Sequence, residues 1–128
     1  MDILSLGLGT KRGQKIKIVN VTLGTVPLDD GRTETKLVLV CKTMAGQTRN
    51  IDEVWLRDYK KSLKLSGLWV TLDDDNAISE MSALGKFLKF VNVKSIKELI
   101  GKEVLAYPKD NGFLAVAAVD MDSGEVSS

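Results

Sequence analysis

Apolar and polar residues alternate over most of the first half of the chain, which predicts strands, and one later segment changes to helical spacing. The stretch KIKIVNVTL (15–23) is rich in β-branched residues, but its apolar phase slips at Ile18 and Val19, so a strand with a bulge there is expected. GTVPLDDGR (24–32), with Pro27, Asp29, Asp30 and Gly31, is a turn-rich connection. TKLVLVCK (35–42) is the clearest strand, MAGQ leads into another, TRNIDEVWLR (48–57), and KLSGLWVTL (64–72) supplies a further one.

Helical period then takes over. SALGKFLKFVNV sets Leu84, Phe87, Leu88 and Val91 on one stripe, predicting a helix over 82–92. In VKSIKELIG, Ser95 and Glu98 have capping-box spacing, Val93 and Leu99 stand at hydrophobic-staple positions, and Gly101 ends a short second helix. KEVLAYPK (102–109) and FLAVAAV (113–119) flank DNG as a closing hairpin, with Pro108 placing the first of its strands at an edge or at an end. The chain divides into an N-terminal arm (1–14), read as flexible, a single domain (15–120), and an acidic tail (121–128), read as disordered. The order of elements predicts a mainly β fold with one helix and a short follower: an OB-like, five-stranded antiparallel barrel with the helix between its third and fourth strands. An α+β sandwich with the helix on one sheet face gives a similar string.

A length of 128 residues suits one domain with its own core. The net charge of +1 hides an asymmetry, since residues 1–64 stand at +5 and residues 65–128 at −4, and the basic half is the candidate polyanion-binding half. The lone Cys41 forms no internal disulfide, and a chain without histidine has neither a histidine base nor a zinc-finger ligand set. GLGTKRG fits neither the dinucleotide nor the Walker A spacing. The carboxylates of LDDDN (72–76) lack calcium-loop spacing and read as a loop or the approach to a helix. No acid pair is marked out as a dyad. The reading is non-catalytic, without metal or cofactor, and, lacking any membrane-length apolar run, soluble and cytoplasmic.

SALGKFLKFVNVKSIKELIGKEVLAYPKDNGFLAV resembles the C-terminal part of small proteins encoded by phages, plasmids and archaeal mobile elements. The resemblance implies an OB-type fold and single-strand binding; it assigns no residue a role.

Candidate binding residues come from strand parity. Trp55 opposes Val54 and Leu56, and Trp69 opposes Leu68 and Val70, so with the aliphatic pairs inward both tryptophans lie outward. Arg49 and Arg57 share the parity of Trp55, while Lys36 and Lys42 join Val38 and Val40 opposite Leu37, Leu39 and Cys41. Tyr59, Lys60, Lys61 and Lys64 lie between the tryptophans, and Tyr107 with Lys109 flanks the DNG turn. Rings that stack on bases beside Lys and Arg that track phosphates make a surface for single-stranded DNA or RNA. Against it stands a face covered by the helix, the arm or a second copy in a homo-oligomer, which makes the module one of protein interaction or self-assembly.

Overall fold

The computed structural model describes residues 13–121. Strands β1 (Gln14–Pro27), β2 (Thr33–Thr43), β3 (Thr48–Ile51), β4 (Glu53–Arg57) and β5 (Leu63–Gly67) come first, followed by helix α1 (Ala83–Phe90), a 3-10 turn (Lys97–Leu99), β6 (Glu103–Pro108) and β7 (Leu114–Ala117). They form one seven-stranded sheet in the order β3-β2-β1-β6-β7-β4-β5. Every neighbouring pair is antiparallel except β4 with β7, which run parallel.

The fold is mainly β with one helix, as expected, but the five-stranded antiparallel barrel is corrected. The sheet is mixed, has seven strands, and is not closed as a hydrogen-bonded ladder. Two features account for the difference. The segment 48–57 is two strands, because its alternation breaks at Asp52: Ile51 and Val54 are both buried although three residues apart. The Asp52 carbonyl is taken by the amide of Leu68 (2.9 Å), drawing the chain after β5 alongside. β5 itself is an additional strand on β4. Nor is the sheet flat, since β3 approaches β7, and buried residues of β1, β2, β3, β4, β6 and β7 all meet in one core with Leu84, Phe87 and Leu88 of α1.

Local chemistry explains the elements. Ile16 and Ile18 point inward, and the register shift between Ile18 and Asn20 resets the phase so that Val21 and Leu23 pair with the inward Leu39 and Leu37. The bulge thus falls where the slip in apolar phase put it. β1 then continues through Pro27, beyond the expected limit: Gly24, Thr25 and Val26 are held as strand by Lys36, Thr35 and Glu34 opposite. The turn is left to residues 28–32, with Gly31 at φ +86°.

α1 is capped by Ser82, whose Oγ accepts from the amide of Gly85 (3.0 Å), and its C-cap Val91 is followed by Asn92 in the left-handed conformation (φ +61°). Its stripe is as expected, with Leu84, Phe87 and Leu88 buried and Val91 half-buried. The short second helix is instead a single 3-10 turn, and only half of the expected capping box forms, because the Glu98 carboxylate reaches Lys94 N rather than the amide of Ser95. Ser95 Oγ accepts from Glu98 N (3.4 Å), and Glu98 Oε2 accepts from Lys94 N (2.9 Å). β6 ends at Pro108, consistent with a residue that cannot donate to the ladder. The expectations for the arm and the tail fall chiefly on residues outside the described range; of their inner ends, Gln14 already belongs to β1 and Met121 is buried.

Candidate nucleic-acid interface

β2 has the alternation its sequence shows. Leu37, Leu39 and Cys41 are fully buried, so Lys36, Val38, Val40 and Lys42 face outward, the first three half-buried and Lys42 exposed. The ladders place a row of neighbours beside each. Lys36 lies opposite Gly24 and bridges to Trp69, Val38 is opposite Thr22, Val40 sits between Asn20 and Asn50, and Lys42 between Lys17 and Thr48. From Lys36 to Lys42 the strip is about 20 Å long. An aromatic ring stands at one end, a pair of valines flanked by amides in the middle, and two lysines side by side at the other end.

Trp69 is held in a defined way. The Lys36 ammonium lies 4.9 Å from its ring centroid and 3.3 Å from Asp52 Oδ2, and so occupies one face of the ring. The indole edge rests on Gly67, where an added Cβ would come within 2.6 Å of Trp69 Nε1 and 2.9 Å of Lys36 Cε. At the other end, Lys17 and Lys42 are direct cross-strand partners, a like-charge arrangement that costs stability in the free protein. Glu103 flanks Lys17 on its far side, but neither lysine has an ion-pair partner among the described residues.

The remaining expected residues are not brought to this strip. Arg49 does not share a face with Trp55, because the break at Asp52 puts it on the inward parity of Ile51. It is exposed where β3 begins and donates to Gln47 Oε1 (2.6 Å) and Thr48 O (3.1 Å). Trp55 is half-buried on the outer side of β4, donates from Nε1 to Tyr107 O (3.4 Å), and packs in a small cluster with Tyr107, Ala117, Met121 and Leu63. Tyr107 is buried in that cluster. Arg57 donates to Lys61 O (2.8 Å) and Asp120 O (3.4 Å). Lys109 pairs with Glu53 and lies 5.8 Å from the ring centroid of Phe113.

Tyr59 (89 % exposed), Lys60 and Lys61 form the tip of the β4–β5 turn, where Asp58 Oδ1 accepts from the amides of Lys60 and Ser62. Lys64 is exposed on β5 opposite Leu56. In the acidic run, Asp73 Oδ1 accepts from the amides of Asp75 and Ala77, which makes it a loop. Parity alone did not bring out Lys17, Asn20 and Asn50, whose places depend on cross-strand register, nor Phe113, 68 % exposed beside Lys109.

A groove between α1 and the segments 77–80 and 92–96, lined by Ile78, Leu88 and Ile96 among others, shares no residue with the strip. Burial pushes the Cys41 thiol up to about 12, so it is held as the neutral thiol at neutral pH. No helix among the described residues is long and apolar enough to cross a membrane. No protein-family model, curated protein or solved structure matches the chain.

Proposed function

We propose that this protein binds single-stranded nucleic acid, without catalysis, on the outer face of β1, β2 and β3. The observation that carries the reading is the strip itself. Trp69 offers a ring, Val38 and Val40 an apolar floor, Asn20 and Asn50 hydrogen-bonding amides, and the opposed Lys17 and Lys42 a pair of charges whose mutual repulsion a phosphate relieves. An OB-like reading of the sheet supports it. β3 and β4, consecutive in the chain, lie toward opposite ends of the open sheet, and α1 falls in chain order between them and the closing strands β6 and β7, as a helix does in an OB-fold. Strands 2 and 3 of an OB-fold form its oligonucleotide-binding face; here the strip is centred on β2, with Asn50 of β3 on one side and Lys17 and Asn20 of β1 on the other.

The test is a fluorescence titration with oligothymidylate at low salt. Binding at micromolar concentration or tighter should quench tryptophan emission, with log K falling by about 0.7 per neutralised phosphate for each unit of log salt. Trp69→Ala should remove about 1–3 kcal/mol and leave that slope unchanged. Lys42→Ala and Lys17→Ala should each flatten the slope by a fraction of a unit. Failure to bind at low salt sinks the proposal. The alternative, protein interaction or self-assembly through the aromatic face, draws on Trp55 and on Leu105, which is exposed on β6. It requires a dimer that Trp55→Ala dissociates.

A further inference from the structure

β1 is much longer than its partner on one side. β6 pairs only with Gln14 to Lys17, and the last backbone bonds on that side are Ile18 N to Lys102 O (2.8 Å) and Gly101 N to Ile18 O (2.7 Å). Among the described residues, the strand from Val19 to Pro27 is bonded to β2 alone. The direction of its outward groups follows from β2. Leu37 donates to Leu68 O and Thr35 accepts from Val70 N, so both turn their backbone groups away from β1. Their partners Leu23 and Thr25, and Val21 by the same alternation, therefore turn theirs away from β2, toward the open edge.

Such an edge templates further pairing, and proteins usually blunt it with lysine, proline, or a short or covered strand. Here VNVTLGTVP carries no charge over its whole length, its single proline comes last, and Leu23 is 64 % exposed. We infer that the β1 edge from Val21 to Thr25 is a self-association surface, on which a second copy of this chain adds the same segment antiparallel across a two-fold axis at Leu23. In that register Leu23 faces Leu23 of the copy and Val21 faces Thr25, so every outward amide and carbonyl of the three residues finds a partner. A shift of two residues toward the C-terminus would set Val21 against Pro27, which has no N–H to give. Absence of charge favours a copy over nucleic acid, which needs cations, and leaves no like-charge clash across the axis. The two surfaces share β1, where Thr22 and Gly24 lie opposite Val38 and Lys36 of the strip, but the edge pairs through the backbone of Val21, Leu23 and Thr25, so either inference can fail alone.

Sedimentation equilibrium on the full chain, with amide hydrogen exchange at low and high concentration, tests this. A dimer is expected, with the amides of Val21, Leu23 and Thr25 slowing as concentration rises while those of Thr22 and Gly24, already bonded to β2, stay unchanged. Leu23→Lys should weaken the dimer at least about tenfold by setting two ammonium groups across the axis. Thr25→Lys, at another exposed position, serves where Leu23→Lys fails to fold, and the exchange pattern of the unaltered protein decides if both do. A monomer up to about 1 mM, or a dimer whose Val21, Leu23 and Thr25 amides exchange at the same rate at every concentration, overturns the inference.

Discussion

Cys41 shows how far a single buried group can be made to report on the fold. Desolvation raises its thiol from the ordinary 9.0 to about 12, so the folded chain keeps a proton that the unfolded chain releases at lower pH. The associated stability is complete below the unfolded value and falls as pH rises from there toward about 12. The gap in denaturation midpoint between the unaltered protein and Cys41→Ala should accordingly narrow between pH about 9 and about 12, where a pH-independent gap would contradict the burial. Gly67 is the second residue with a defined consequence. Gly67→Ala drives a methyl group into Trp69 Nε1 and Lys36 Cε, so it should disturb the indole and weaken oligothymidylate binding while leaving the core intact. A changed tryptophan emission maximum with a near-native far-UV spectrum is the expected signature.

At the scale of elements, the two serine caps differ in ways that rank them. Ser82 accepts from Gly85 N at 3.0 Å and donates to Ser79 O at 2.6 Å, whereas Ser95 accepts from Glu98 N at 3.4 Å over a single 3-10 turn. Ser82→Ala should cost about 1 kcal/mol or more and Ser95→Ala about 0.5 kcal/mol, read from denaturation midpoints. Gly85→Ala, which helix propensity favours, should destabilise by more than about 2 kcal/mol, because its Cβ would lie 2.1 Å from the Ser79 carbonyl oxygen. Where local pattern decides an element, it is legible in the sequence: the bulge after Ile18, the stripe of α1, the Ser95–Glu98 contact, and the outward set of Lys36, Val38, Val40 and Lys42. It is not legible where a distant segment decides. The break at Asp52, which separates Arg49 from Trp55, depends on the amide of Leu68. Trp55 packs with Tyr107 and Met121, more than fifty residues further along. Thr25 and Val26 stay in a strand only because β2 returns beside them.

For the molecule as a whole, the parallel pairing of β4 with β7 sets the order in which the fold can be completed. β7 lies between β6 and β4, and its residues Val116 and Ala117 are what join the two halves of the sheet. The half built on β1, β2 and β3 and the β4–β5 hairpin come from the first part of the chain, but the strand that links them comes after α1 and β6. A pairing so distant in sequence forms late, since the loop it closes is long. A nascent chain on the ribosome therefore leaves β4, already paired with β5, without its second strand neighbour until residue 117 has cleared the exit tunnel. Through that interval the free margin of β4 is open to chaperones and to other nascent chains, making the last strand of this sheet the step at which synthesis and aggregation compete.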